Sequence, residues 1–397
     1  MSLFNIYTKN SKRKINFTPD HQIYLSLSSE GFGHSSRALA IAKEFKKNEM
    51  VFGTYSYALE RLRNEGYKCV ELPVELKLFG EKGAFDVKKT IIKNHSWALT
   101  FNNIIKSEIE AIQKSRASCV VADGRLAPVM AADKLSLPCL VITNQSAFYP
   151  FFERDSTLIR VFGRSFDWIM KTWLSSSEEI IIPDFPPPYT VCLKNLSNNF
   201  KVMKRTRFVG PLVCFDSDSL EKIEKPAKNY IVVTLGGHSY RKPLLDNVIE
   251  TAKKLKDFHF DVFTSLEANN LPENVRIMEF TSKISSYLNA ADLVITQAGH
   301  STAMELLTLG KPSIIIPDFK QIEQENNAIR MEELNVSLQI EYSNFYPEKL
   351  IEAIKKITNE SKYTENARGF KQLAREVQGN KRVAEVIKDY SKRLQAY

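Results

Sequence analysis

Short apolar runs alternate with longer segments whose apolar residues recur every three or four positions. The short runs read as strands buried on both faces, and the longer segments as amphipathic helices that cover them. In the first half, strands are predicted at 23–29, 51–55, 68–72, 119–122, 140–143 and 179–182. Helices are predicted there at 35–47, 57–65, 89–115, 126–135 and 157–174. In the second half, strands at 230–235, 260–263, 274–279, 292–296 and 313–316 alternate with helices at 244–255, 284–290, 301–309, 321–334 and 347–357. The chain is again helical from about residue 371. This order implies an α/β protein with parallel sheets, built as two doubly wound units. The polar stretch 213–229 precedes a fresh strand and is the best linker. The expected layout is a first domain over 1–212, a linker over 213–229 and a second domain over 230–375. A C-terminal helix, 376–397, is then placed to pack back on the first domain.

Composition narrows the classes without changing that picture. With 397 residues, 43% hydrophobic and 25% charged, the chain is a globular protein and not a disordered one. Cys69, Cys119, Cys139, Cys192 and Cys214 form no Cys-x-x-Cys pair, so neither a disulfide framework nor a zinc knuckle is expected. No apolar run reaches the ~18 residues that span a bilayer, and Lys9, Lys12, Arg13 and Lys14 are not followed by a signal-like apolar core. The expectation is a cytoplasmic protein. Charge is unevenly shared: residues 1–212 carry 30 Lys and Arg against 20 Asp and Glu, and residues 213–397 carry 25 against 26. The basic half therefore suits an anionic partner, although a plain solvated surface explains it as well.

Candidate chemistry sits at strand ends. Gly31 and Gly33 permit a tight turn before a helix whose free N–H groups suit an anion. Ser36 stands where a dinucleotide fingerprint needs its third glycine, which disfavours hydride transfer. His34 in this turn is either a base or a helix-capping residue. Asp123 ends the strand 119–122, where it can orient an imidazole or cap the next helix. The second half repeats the theme, with Gly236, Gly237 and His238 ending its first strand. The most informative segment is 291–328, ADLVITQAGHSTAMELLTLGKPSIIIPDFKQIEQENNA. Its turn at Gln297, Gly299, His300, Ser301 and Thr302 again offers N–H groups to a phosphate. Glu305 stands one turn into the helix, where a carboxylate can accept both hydroxyls of a ribose. Glu323 and Gln324 suit sugar hydroxyls, or simply open an exposed helix.

The order and spacing of Gln297, Gly299, Glu305, Gly310, Pro312, Pro317, Glu323, Gln324, Asn327 and Ala328 resemble the donor-binding region of GT-B-type nucleotide-sugar glycosyltransferases. The similarity is strongest to the enzymes that add N-acetylglucosamine to a lipid-linked peptidoglycan precursor. The resemblance implies two Rossmann-like domains facing each other across a cleft. It implies a UDP-sugar donor, with Glu305 on the ribose, Glu323 and Gln324 on the sugar, and Phe280 and Ile284 beside the base. The turns at 236–239 and 297–302 would hold the diphosphate. Many relatives carry His or Arg where Gln297 stands, which leaves neutralisation to dipoles and to His300, His238 or Arg241. GFGH (31–34) is similar to the acceptor-side loop of these enzymes, and FVGPLV (208–213) to the strand that closes their first domain. The resemblance makes His34 the base and Asp123 its partner, with Gly31, Gly33 and Arg37 on the acceptor side. An inverting transfer follows. No Asp-x-Asp motif is read in the chain, so no metal and no other cofactor is expected.

GHSSR (33–37) is also similar to a loop of the nucleotide-sugar hydrolases of pseudaminic acid synthesis, so hydrolysis at the same cleft is the alternative. A non-catalytic nucleotide-sugar-binding subunit is a third reading. Nucleic acid is not an expected partner, because the basic residues are dispersed. Acceptors bind the first domain in this fold, so the basic half reads as a site for a glycan or lipid-linked acceptor or for an anionic membrane surface. FGRSFDWIMKTWL (162–174) fits an interfacial helix at such a surface. A core helix with a broad apolar face is the slightly preferred reading.

Overall fold

A computed structural model describes residues 22–77, 80–81, 84–85, 87–94, 96–236, 241–279 and 281–393. The first half runs β1 (Gln22–Leu27), α1 (Phe32–Ala42), β2 (Met50–Thr54), α2 (Ser56–Asn64) and β3 (Lys68–Glu71). It continues with β4 (Gly80–Glu81), β5 (Ala84–Phe85), α3 (Val87–Lys93), α4 (Trp97–Ser115), β6 (Ala117–Asp123) and α5 (Ala127–Leu135). It ends with β7 (Cys139–Ile142), α6 (Thr157–Leu174), β8 (Glu179–Ile182), α7 (Phe200–Met203) and β9 (Thr206–Phe208). The second half runs β10 (Asn229–Gly236), α8 (Lys242–Lys254), β11 (Phe258–Thr264), β12 (Val275–Met278), α9 (Ile284–Ala290) and β13 (Leu293–Thr296). Then come α10 (His300–Leu309), β14 (Ser313–Ile315), α11 (Ile322–Glu333), β15 (Ser337–Gln339), α12 (Pro347–Asn359), α13 (Ser361–Val377) and α14 (Gly379–Arg393).

Among the described residues, the first sheet has seven parallel strands in the order β3-β2-β1-β6-β7-β8-β9. The second has six, in the order β12-β11-β10-β13-β14-β15. Both are doubly wound, as the alternating pattern predicts. In each sheet the chain winds outward from a central strand and then restarts on that strand's other side. The resulting switch points, where ligands bind in such sheets, lie between β1 and β6 and between β10 and β13. Register places Leu27 opposite Asp123 in the first sheet and Thr234 opposite Thr296 in the second. The loops that carry the candidate residues therefore leave from adjacent strand ends.

Several expectations are corrected. The helix predicted over 89–115 is two helices, α3 and α4. Asn94 exchanges hydrogen bonds with the Lys77 backbone (3.1 and 2.8 Å) and donates to Thr90 O, which competes with continued helix. Strands β4, β5, β9 and β15, two or three residues each, are missed by the pattern because they are too short to show a period. Helix α13 begins at Ser361, ten residues before the expected start; its buried Tyr363, Ala367 and Phe370 are diluted by polar neighbours. The segment between β9 and β10 holds no helix or strand. Helix α14 returns to the first sheet, where Val383, Val386 and Ile387 pack with Ile23, Leu25 and Phe52. In α6 Gly163, Asp167, Met170 and Leu174 are buried and Phe166, Ile169 and Trp173 half-buried, whereas Phe162 and Trp168 are exposed, so the preferred core-helix reading of 162–174 holds for one side of the helix only.

Candidate functional site

The first switch point brings His34 onto Asp123. Gly31, at φ 82°, precedes α1 and turns the chain sharply after β1, so His34 lies in the first turn of the helix. Its Nδ1 lies 2.7 Å from Asp123 Oδ1; in the neutral tautomer that donates Nδ1–H to this carboxylate, Nε2 carries the lone pair. Gly124, at φ 71°, lies under the imidazole; a Cβ there would be 2.5 Å from His34 Cε1. Arg37 is buried and donates to both Asp123 oxygens (3.1 and 2.7 Å), with Nη2 also 2.9 Å from His34 Nδ1. Burial opposes ionisation of Asp123, but Arg37 and His34 outweigh it and hold the carboxyl well below the usual carboxylate range. Arg37, expected on the acceptor side, is thus bound through its guanidinium to Asp123. Gly33 faces the second domain, and a Cβ there would lie 2.6 Å from Ser301 Oγ.

The second switch point carries the turn from β13 into α10. Gly299 caps α10 with extended backbone, and a Cβ there would meet nothing within 4 Å among the described residues, so no side chain of theirs covers that side of the helix N-terminus. Gln297 is buried, and its Nε2 has no hydrogen-bond partner among the described residues. A buried amide donor without a partner is costly, and an anion at the helix N-terminus would satisfy it. Ser301 and Thr302 are partly buried in the first turn, and Ser301 Oγ accepts from Arg37 Nη1 across the cleft (3.4 Å). Glu305 is partly buried, and desolvation pushes its pKa up to about 7 against the pull of Arg61. Arg61, which sequence reasoning missed, also donates to Ser35 and Ser36 Oγ (3.0 Å each). Ile284 opens α9 and packs against the Tyr230, Phe263 and Leu306 cluster. Gly236 ends β10, whereas Gly237, His238 and Phe280 lie outside the described residues.

Two proposed phosphate partners make ion-pair contacts within the protein. Arg241 is buried, pairs with Asp318 through Nε (3.1 Å) and Nη2, and donates to Leu235 O at 2.7 Å. His300 is buried; its Nε2 donates to Asp184 Oδ2 in the first domain (3.1 Å), and its Nδ1 has no hydrogen-bond partner among the described residues. Asp184 also accepts the N–H groups of Phe185, Val191 and Cys192, at 2.7, 3.2 and 2.8 Å. Asp184, Cys192 and His300 group closely enough to suggest metal ligands. These hydrogen bonds account for the grouping, and burial, then Asp184, raises the Cys192 thiol well above its usual range.

The sugar-side residues are also partly engaged. Gln324 accepts from Asp318 N (2.9 Å) and donates to Asp318 Oδ2 (3.3 Å), so the Arg241–Asp318 pair sets its position. Glu323 Oε1 accepts from Asn144 of the first domain at 2.8 Å. Asn144 follows β7, and only the docking of the two domains reveals it. One ground for expecting no metal is also wrong: Asp216-Ser217-Asp218 has the Asp-x-Asp spacing. It lies between the sheets, where Asp218 pairs with Arg375 and Asp216 accepts from Asp218 N.

Residues 246–385 match the glycosyltransferase family 28 C-terminal domain. An uncharacterized glycosyltransferase of Methanosarcina mazei is 33% identical over 92% of this chain and 97% of its own length. The UDP-N-acetylglucosamine--N-acetylmuramyl-(pentapeptide) pyrophosphoryl-undecaprenol N-acetylglucosamine transferase of Caldanaerobacter subterraneus is 24% identical over 83% of this chain and 88% of its own. Among solved structures, the glycotransferase of kitacinnamycin superposes with a TM-score of 0.71 at 16% identity, over 94% of this chain and all of that one. The fold is that of the GT-B glycosyltransferases, with two Rossmann-like domains.

Proposed function

This chain belongs to the glycosyltransferases, and from that premise we propose that it is an inverting transferase that moves a hexosyl or N-acetylhexosaminyl group from a UDP-sugar to an acceptor hydroxyl. The acceptor on this reading is a glycan or a lipid-linked saccharide, in keeping with the name of the Caldanaerobacter relative. The observation that carries the proposal is the pairing of two sites across one cleft. A His34–Asp123 couple stands on one wall, and an open helix N-terminus with the unpartnered Gln297 amide stands on the other.

His34 Nε2 takes the proton of the acceptor hydroxyl while Nδ1–H stays on Asp123. The freed oxygen attacks the anomeric carbon from the face opposite the diphosphate. The bond from that carbon to the β-phosphate oxygen breaks, and UDP leaves with the electron pair. The charge on the leaving group is met by the first N–H groups of α10 and by Gln297 Nε2. The ribose diol donates to Glu305. Glu323, held by Asn144, and Gln324, held by Asp318, face the sugar. The proposal assigns no step to a metal, because hydrogen-bond donors neutralise the diphosphate. No observation favours hydrolysis.

The test is turnover of a panel of UDP-sugars with and without a membrane lipid extract, following UDP and labelled product. We expect UDP release that depends on the extract and yields a labelled glycoside. His34→Ala should lower kcat by about 100- to 10,000-fold, the usual worth of a general base. Release of free sugar without any acceptor would replace transfer by hydrolysis. An unchanged rate in His34→Ala would remove the base assignment.

A further inference from the structure

We propose that α6 is a membrane-docking helix that seats the first domain on an anionic lipid surface. The helix has three faces. Gly163, Asp167, Met170 and Leu174 recur at i, i+4, i+7 and i+11 and face the domain. On the opposite side, Leu158, Val161, Phe162 and Trp168 are 81, 56, 45 and 58% exposed. At 3.6 residues per turn these four share one stripe. Arg160, Arg164 and Lys171 recur at i, i+4 and i+11 and form a basic strip on one flank between the two apolar sides.

Burial within the domain explains the first face; the second stays exposed, although the Phe162 ring also meets those of Phe152 and Phe166. A helix with an apolar stripe turned to solvent, a large aromatic within it and cations beside it matches the geometry of a helix lying in a lipid interface. The charges decide between lipid and a second copy of this chain. Lys171 is paired with the buried Asp167 at 2.5 Å. Arg160 and Arg164 have neutral contacts, the Thr157 hydroxyl and the Tyr149 ring, and so keep their charge for an external anion. Asp167 is the one acidic residue of α6 and points inward, so a second α6 has nothing to offer these arginines. Lipid phosphates lie at the depth that a flanking arginine reaches when the apolar stripe is immersed. No helix among the described residues is long and apolar enough to cross a membrane, so this contact would be peripheral. It deepens the reading of a lipid-linked acceptor, since α6 belongs to the domain that carries His34.

The full chain is sedimented with vesicles of phosphatidylcholine alone and of equimolar phosphatidylcholine and phosphatidylglycerol. We expect about tenfold more protein bound to the anionic vesicles, falling as salt rises. L158E/V161E and R160E/R164E should each lose about tenfold in binding, with circular dichroism unchanged. L271E, on a loop of the second domain, should bind like the wild type. Two results overturn the proposal: a wild-type chain that ignores both vesicles, or L158E/V161E that binds as the wild type does. A self-association abolished by L158E/V161E, with vesicle binding unaffected, would assign the stripe to a second copy. The assay contains no donor or acceptor, so binding without sugar transfer, or transfer without binding, separates this proposal from the catalytic one.

Discussion

Glu305 shows how a ligand site can work against the stability of the empty protein. Burial raises its pKa to about 7, above the ordinary carboxyl value, and Arg61 only partly offsets this. A raised pKa means that the folded state holds a proton the unfolded state has lost. Stability from this group is therefore full below about pH 4.5 and is lost as pH rises through about 7. Glu305→Gln should accordingly raise the melting temperature at pH 8, by the equivalent of about 1–2 kcal/mol, and leave it unchanged at pH 4. The same variant should weaken UDP binding, because an amide offers the ribose one acceptor oxygen in place of two. Calorimetry at the two pH values checks the first effect and nucleotide titration the second. An equal shift at both pH values would mean that folding does not raise the Glu305 pKa.

At the scale of elements, the turns decide the chemistry. The β6–α5 turn passes beneath His34 only because Gly124 adopts φ 71° and has no Cβ. Gly124→Ala should cost about 1–3 kcal/mol in backbone strain. Pushing the imidazole away should also lower kcat on the order of 100-fold while donor affinity stays unchanged. Unfolding curves and steady-state kinetics read the two effects separately. The β13–α10 turn has a different logic. Its anion site rests on helix N–H groups and the Gln297 amide, while Asp318 holds Arg241 and Asp184 holds His300 through Nε2. Chelation by EDTA should therefore leave turnover unaltered, and a rate restored by Mg²⁺ or Mn²⁺ after chelation would refute the metal-free reading.

For the whole molecule, α14 makes the two domains one structure. It leaves the second domain at Gln378, passes Gly210, where Gly379 approaches Pro211 O, and buries Val383, Val386 and Ile387 in the first domain's core. Exposing three such side chains costs on the order of 5 kcal/mol, comparable to the net stability of a domain. A chain ending at Gln378 should lose cooperative unfolding of the first domain, checked by thermal melts. A sharp transition at the wild-type temperature would show that α14 is dispensable.

The sequence by itself determined the α/β class, the two doubly wound units and the strands of the two large sheets other than β9 and β15. Burial on both faces and helical periodicity are local properties that the residue pattern records. It also determined the glycine turns and placed His34 and Asp123 at strand ends, where each had two readings; the resemblance implied their pairing, and the adjacency of β1 and β6 brought it about. Only the tertiary structure decided what those side chains touch. That Arg37 binds Asp123, His300 reaches Asp184, Asn144 holds Glu323 and α6 turns an apolar stripe outward depends on how residues far apart in the chain are brought together. Hydrogen-bond partners and solvent exposure are properties of that packing, and no local pattern encodes them.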